Sequence, residues 1–122
     1  MPRTNVVFYC EGNGEAPFLN WLDTLPEKAQ DKCRLKIERL RALGFELRRP
    51  EADFLRDGIY ELRVRLRKIN YRVLYFFHSN IAAVVSHGII KERIVPPNEI
   101  EKAVERKKRF EKDPERYTYQ EE

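Results

Sequence analysis

The fold is decided by a stretch that reads Gly58-Ile59-Tyr60-Glu61-Leu62-Arg63-Val64-Arg65-Leu66-Arg67, in which aliphatic and charged residues alternate. Successive side chains of a β-strand point to opposite faces of the sheet, so the aliphatic residues share one face and the charged residues share the other. The aliphatic face carries Leu62, Val64 and Leu66, and the charged face carries Glu61, Arg63, Arg65 and Arg67. The stretch predicts a strand with one face on a core and a basic face open to an anionic partner.

Two further strand patterns follow this stretch almost without a break. Residues 70–77 are rich in aromatic and branched side chains, and residues 82–91 contain a second apolar run. The links at 68–70 and 79–80 have the length of hairpin connections, so we expect three consecutive antiparallel strands. Residues 71–78 are apolar on both faces apart from Arg72 and His78, and this pattern predicts a central strand of the sheet.

The N-terminal third contains one strand pattern and two helix patterns. A β-branched and aromatic run at 6–10 predicts a strand. A short helix is expected over 17–22, and a longer one begins at Pro26 and ends before Gly44, which occupies the capping position. The two predicted helices are joined tightly, which indicates a helical hairpin.

The remaining segments are a predicted loop, a final helix and a tail. Residues 45–57 contain a proline and show little periodicity, so we expect a loop. Asn98 caps a helix that runs to about Lys112, and the polar residues 113–122 are expected to fray. The sequence thus predicts one α+β domain over 1–112, in which the helical hairpin and the C-terminal helix gather on one side of a small, mainly antiparallel β-sheet.

Size, charge and cysteine content narrow the class of protein. The chain has 122 residues, 42% of them hydrophobic, and a formal net charge of +4. Six basic and two acidic residues fall between Arg56 and Arg72, so this segment alone could supply the excess of positive charge. The N-terminus lacks the apolar core of a signal peptide, no stretch is long enough to cross a bilayer, and the two cysteines are expected to be reduced thiols. These features predict a soluble cytoplasmic protein.

Four strings occur in an order and spacing typical of one superfamily. They are Gly58–Arg63, Asn70–Tyr75, His87–Lys91 and Pro97–Ala103. Together they resemble the RelE/ParE toxin superfamily, and in particular its HigB-like, phage-derived branch. The resemblance implies a RelE-like fold and the toxin of a type II toxin–antitoxin pair. It also implies an endoribonuclease that cuts mRNA in the ribosome without a cofactor and forms an inactive oligomer with a helix-turn-helix antitoxin.

The resemblance assigns the chemistry to basic residues on and beside the sheet. By motif position, the catalytic residues are Arg63, Arg72 and Lys91. Cleavage by the 2'-hydroxyl needs a deprotonated nucleophile, a stabilised phosphate and a protonated leaving oxygen. Arginine suits the second task because its planar guanidinium binds two phosphate oxygens and stays charged, and Lys91 suits the third. Further RNA contacts are expected from Arg65, Arg67, Lys68 and Arg93.

Glu61 and His87 are candidates for an acid, a base or an orienting residue. Glu61 is the one carboxylate within the basic strand, and it either acts as a base or pairs with neighbouring cations. Pairing is the commoner role for such a group. His87 titrates near neutrality, but a single histidine in a strand is more often a hydrogen-bonded packing residue. Two histidines without a cysteine pair predict no metal site.

Several alternatives stay open at the level of sequence. A basic sheet face is also typical of a solvated surface that prevents edge association. A ParE-like protein of the same fold would bind DNA gyrase without cutting RNA, and a degenerate phage remnant would bind RNA without turnover. The four cations at 106–109 are either a second RNA contact or a solvated helix face. The discriminating feature is the exposed basic constellation, because a protein that does not cut RNA needs neither Arg72 nor Lys91 near Arg63.

Overall fold

A computed structural model describes residues 4–79, 82–90 and 94–120 of the chain. The strands found in these ranges are β1 (Asn5–Phe8), β2 (Ala52–Arg56), β3 (Ile59–Leu66), β4 (Ile69–His78) and β5 (Ala82–Ile90). The helices are α1 (Pro17–Asp23), α2 (Glu27–Leu43) and α3 (Pro97–Lys112), and a short 3-10 helix at Gly44–Glu46 follows α2.

The helical hairpin forms where the sequence predicts it. Pro17 occupies the first turn of α1, where a missing N–H costs nothing. The buried stripe of α2 consists of Ala29, Cys33, Ile37 and Leu40. Gly44 ends this helix with a φ of 53°, a conformation that glycine adopts without the steric cost of a side chain. Both cysteines of the chain are buried and free.

The described strands form one sheet in the order β1-β5-β4-β3-β2. β1 runs parallel to β5, and every other neighbouring pair is antiparallel. β4 lies in the middle of this order, which confirms the central position expected from its apolar character. Three helices pack on this mostly antiparallel sheet, so the predicted α+β class is confirmed.

The helices cover both faces of the sheet, which differs from the expectation that they gather on one side. On the first face, α1 and α2 pack against Leu62, Val64 and Tyr71. On the second face, the apolar side of α3 packs against Leu74 and Phe76. The physical reason is that β4 is apolar on both faces, so each face needs a cover.

The segment predicted as a loop at 45–57 contains the edge strand β2. It pairs antiparallel with β3, and Asp53 lies opposite Glu61. A bulge interrupts the pairing between Phe54 and Arg56. The sequence signal is absent because an edge strand with one fully buried residue, Ala52, shows no clear alternation of polar and apolar side chains.

The described part of the C-terminal tail, for which the sequence predicts fraying, lies along the outer edge of β1. The Cys10 amide donates to the Tyr117 carbonyl at 2.9 Å, and the Tyr119 amide donates to the Phe8 carbonyl at 2.8 Å. The rings of Tyr9 and Tyr117 stack with their centroids 5.7 Å apart. These contacts satisfy backbone groups that a free edge strand would leave unpaired.

The second face is covered at one end and left open at the other. The apolar residues of α3 pack over the end that holds Ile59 and Phe76. Farther along the same face, the side chain of Arg63 is 34% exposed and Arg65 is exposed. We call the part that holds Glu61, Arg63 and Arg72 the open end of the second face. Among the described residues, no helix is long and apolar enough to span a membrane.

Candidate functional site

The open end brings together two of the three predicted catalytic residues. Arg63 of β3 and Arg72 of β4 are direct cross-strand partners, so their side chains share the second face. Two like charges in this position repel each other, and Glu61 lies between them. Its Oε1 is 2.6 Å from Nε of Arg72, and its Oε2 is 3.5 Å from Nη2 of Arg63. One carboxylate therefore holds both guanidinium groups.

This ion-pair cluster is largely buried but incompletely hydrogen-bonded. The side chain of Glu61 is 7% exposed and that of Arg72 is 12% exposed. The short contact between them is an ion pair. Among the described residues, Nε of Arg72, Nε of Arg63 and Oε1 of Glu61 are buried without a hydrogen-bond partner. Buried polar atoms without a hydrogen bond are uncommon in folded proteins, and a catalytic role is one of the explanations for them.

Asp53 on the edge strand extends the cluster and was missed by the sequence analysis. Its Oδ2 accepts hydrogen bonds from Nη2 of Arg63 at 3.2 Å and from Nε of Arg49 at 2.9 Å. The residue lies in the segment predicted as a loop, so its position beside Glu61 follows only once β2 pairs with β3. No local signal in the sequence marks it.

The predicted RNA-binding residues on β3 and the following turn are solvent-exposed. They are Arg65, Arg67 and Lys68. Nε of Arg65 donates to the carbonyl of Arg67 at 3.1 Å, which closes the turn between β3 and β4. The side chains of Arg67 and Lys68 make no ion pair with the described part of the chain, so their charge is available to an anionic partner.

Two of the predicted site residues, Lys91 and Arg93, lie outside the described residues. β5 is described as far as Ile90, which pairs with Tyr71 of β4. The residue before it, Ile89, lies opposite Arg72. The final part of β5 is therefore next to the strand position that carries Arg72.

His87 belongs to a buried polar network between β5 and α3. Its Nε2 is 3.0 Å from Oε1 of Glu99, and its Nδ1 is 2.8 Å from Oγ of Ser86. Nη1 of Arg106 donates to the same Ser86 oxygen at 3.4 Å. Burial, aided by the nearby charge of Arg106, lowers the pKa of His87 to about 4, so the ring is neutral at pH 7.

Because the His87 ring is neutral, the donor and the acceptor of each hydrogen bond in this network can be assigned. Nε2 of His87 donates to the Glu99 carboxylate, and the Ser86 hydroxyl donates to Nδ1. Burial opposes ionisation of Glu99, but hydrogen bonds from His87 and Lys102 outweigh it and lower the pKa of this carboxyl. His87 therefore makes the contacts expected of a hydrogen-bonded packing residue.

The four consecutive cations of α3 face carboxylates. Lys107 and Lys108 pair with Glu111 and Glu105 along the helix. Arg106 and Arg109 both lie within 4 Å of Glu11. This helix face is therefore more nearly neutral than the turn between β3 and β4. No cluster of His, Cys, Asp or Glu that could hold a metal ion occurs in ranges 4–79, 82–90 and 94–120.

An open, mostly antiparallel sheet with a helical hairpin on one face and paired arginines on the other is consistent with the RelE-like class of proteins. Within that class, the model of the family described as phage derived protein Gp49-like (DUF891) matches residues 20–108. The match covers more than half of the chain, and the chain belongs to this family. The family is RelE-like and often toxin-like, which agrees with the resemblance at the level of the superfamily. No curated protein matches the chain.

Proposed function

We propose that the protein is the toxin of a type II toxin–antitoxin pair and cleaves mRNA as an endoribonuclease, in the manner of the HigB-like branch. The observation that carries this proposal is the cross-strand pair of Arg63 and Arg72 at the open end. Glu61 lies between the two guanidinium groups, 2.6 Å from Nε of Arg72 and 3.5 Å from Nη2 of Arg63. The Arg63 side chain is 34% exposed and can contact a phosphate directly, and a pair of guanidinium groups suits a dianionic, five-coordinate phosphate.

The proposed reaction needs no water and no metal. The 2'-hydroxyl oxygen of one nucleotide attacks the adjacent phosphorus while the bond from phosphorus to the 5'-oxygen breaks. The products are a 2',3'-cyclic phosphate and a 5'-hydroxyl, and the proton lost by the nucleophile is balanced by one gained by the leaving oxygen. Arg63 and Arg72 offset the charge that develops on the phosphate oxygens.

We assign an orienting role to Glu61 and keep the general base unassigned. Both oxygens of Glu61 already contact a guanidinium group. Such a carboxylate fixes the two cations relative to each other, which lowers the cost of arranging them around a phosphate. Lys91 is assigned, from the family resemblance, to the leaving oxygen. The cations assigned to the RNA backbone are Arg65, Arg67, Lys68 and Arg93.

The partners follow from the same proposal. A helix-turn-helix antitoxin would hold the toxin inactive in an oligomer, and the ribosome would present the mRNA. Cytoplasmic location follows from these partners. The exposed cations of the turn between β3 and β4 support a nucleic-acid partner, because phosphate contacts supply much of the affinity for RNA.

Induced expression of the protein and of an Arg63→Ala/Arg72→Ala variant tests the proposal. The wild type is expected to arrest growth and shorten transcripts, and the variant is expected to do neither, because the phosphate loses both guanidinium groups. An Arg63→Lys/Arg72→Lys variant keeps both positive charges beside Glu61, so it should fold normally. It should nevertheless cleave RNA at least 10-fold more slowly than the wild type, because lysine lacks the planar guanidinium. Growth and transcript length on northern blots are the measurements.

The control is an Arg34→Ala/Arg41→Ala variant, which removes two arginines from α2. It should remain as toxic as the wild type. Full toxicity of a folded Arg63→Lys/Arg72→Lys variant would contradict the sheet site. Loss of DNA supercoiling with intact transcripts would instead identify a ParE-like gyrase inhibitor, and RNA binding without cleavage would identify a degenerate remnant.

A further inference from the structure

A cleft lies at the outer edge of β2 on the first face of the sheet, and Asp53 lies between it and the open end of the second face. It encloses about 350 Å³, within the size range of about 300–1,000 Å³ typical of sites for small ligands. We call it the edge cleft. Its walls include Leu47, Arg48, Arg49, Asp53, Phe54 and Tyr60. The proposed reaction uses none of these side chains directly.

The aromatic wall of the edge cleft is rigid and partly solvent-exposed. Phe54 is 53% exposed and meets Tyr60 edge to face, with centroids 5.2 Å apart. Tyr60 in turn stacks on Tyr75 at 5.4 Å and meets Phe77 at 5.2 Å. A single exposed apolar side chain is ordinary on a protein surface. A ring braced by a buried aromatic cluster and lining a cleft is a preorganised stacking surface.

The other wall of the edge cleft is cationic. The side chain of Arg49 is 75% exposed and reaches Asp53 through Nε. Arg48 is exposed, and its side chain makes no ion pair with the described residues. Within the described residues, the Arg48 side chain is therefore available to a ligand, and Arg49 has further N–H donors besides the Nε that bonds Asp53. An aromatic surface beside guanidinium groups is the combination by which proteins bind unpaired nucleotides.

Asp53 connects the edge cleft to the open end. Its Oδ2 accepts from Arg49 on the side of the cleft and from Arg63 on the side of the proposed phosphate site. Only one strand spacing, about 4.8 Å, separates β2 from β3. Phe54 lies opposite Tyr60 on the first face, so a single-stranded RNA whose phosphate rests on Arg63 would reach Phe54 by turning over the outer edge of β2.

We propose that the edge cleft binds one unpaired nucleotide that flanks the scissile phosphate, and so contributes to sequence preference. The base stacks on Phe54, and the flanking phosphate contacts Arg48 and Arg49. This inference rests on the proposed endoribonuclease function. Phe54 acts here as a substrate-binding residue, and Tyr60 acts as a positioning residue because it fixes the Phe54 ring.

A cell-free translation reaction tests the inference, because it supplies both ribosomes and mRNA. Phe54→Leu keeps an apolar side chain but removes the stacking surface. Cleavage by this variant at sites mapped by primer extension is expected to fall roughly 5- to 150-fold, the range for loss of one base–aromatic stack. Phe45→Leu is the matched control, since Phe45 is 43% exposed and stacks on Phe77 outside the cleft wall.

An abasic nucleotide placed in turn at each position beside the cleavage site identifies the base that is bound. At one position it should slow the wild type by the same factor as Phe54→Leu and have no further effect on that variant. Unchanged cleavage by Phe54→Leu, with Arg63→Lys/Arg72→Lys impaired, would overturn the edge-cleft inference alone. No cleavage by the wild type, or full cleavage by Arg63→Lys/Arg72→Lys, would overturn the proposed function instead.

Discussion

At the scale of residues, Glu61 links the stability of the fold to the arrangement of the two arginines of the proposed site. It is a nearly buried anion between the cross-strand pair Arg63 and Arg72. Asp53 forms a second ion pair with Arg63. Removing one member of a buried ion pair leaves the other charged and desolvated, which costs more than the pair itself contributes. Stability and function are therefore coupled at this position.

Glu61→Gln is expected to lower the free energy of unfolding by about 2–3 kcal/mol. This is less than the about 3–5 kcal/mol of a fully buried pair, because water reaches part of Arg63. In an Arg72→Met background, the same substitution should cost far less, since the cation that needs Glu61 is gone. Urea unfolding of the four proteins measures the coupling. Equal costs in the two backgrounds would show that Glu61 does not hold Arg72.

At the scale of elements, the contact between β5 and α3 depends on a neutral histidine. Protonation of His87 would place a cation among buried groups and beside Arg106. The pKa of this histidine is lowered in the fold, so the unfolded chain binds the proton more readily. Stability is therefore complete above the ordinary pKa of 6.5 and falls as the pH approaches 4.

The free energy of unfolding is expected to fall by up to about 3 kcal/mol between pH 6.5 and pH 4 through this one group. His87→Gln removes the titration but keeps a donor for Glu99, so its stability should change much less over the upper part of this range. Urea unfolding at a series of pH values provides the comparison. A slope in the variant as steep as that of the wild type would exclude His87 as the source.

The elements predicted correctly are those whose periodicity reports burial. β3 alternates charged and aliphatic residues from Glu61 to Leu66, and α2 repeats its apolar residues every three or four positions. β2 was missed because an exposed edge strand has no such pattern, and Asp53 was missed with it. The sequence placed Arg63 and Arg72 on neighbouring strands, but their common carboxylate and the edge cleft depend on pairing register and on β2, which local patterns do not encode.

At the scale of the whole molecule, the C-terminal tail closes one edge of the sheet. Tyr9 is fully buried beneath Tyr117, and two backbone hydrogen bonds join the tail to Phe8 and Cys10. The other sheet edge, β2, carries the edge cleft instead. The two edges of the same sheet thus differ, with one closed by the chain itself and the other proposed to meet substrate.

Removal of residues 113–122 is expected to lower the free energy of unfolding by about 2–4 kcal/mol. The loss combines two hydrogen bonds at about 1 kcal/mol each with one aromatic stack. Glu115→Ala, an exposed position on the same tail, should change stability little. Urea unfolding measures both, and hydrogen exchange at the Cys10 amide reports the local effect. An equally stable truncated chain would mean that the tail contributes nothing to the fold.

The parallel pairing of β1 with β5 also determines when the sheet can be completed during protein synthesis. Asn5 pairs with Ala82, and the Phe8 carbonyl accepts a hydrogen bond from the Tyr119 amide, so both neighbours of β1 are synthesised long after β1 itself. Contacts between such distant parts of a chain form slowly. A nascent chain leaving the ribosome would carry β1 without its β5 partner until Ala82–Ile90 has emerged, and without its second neighbour until Tyr119 has emerged.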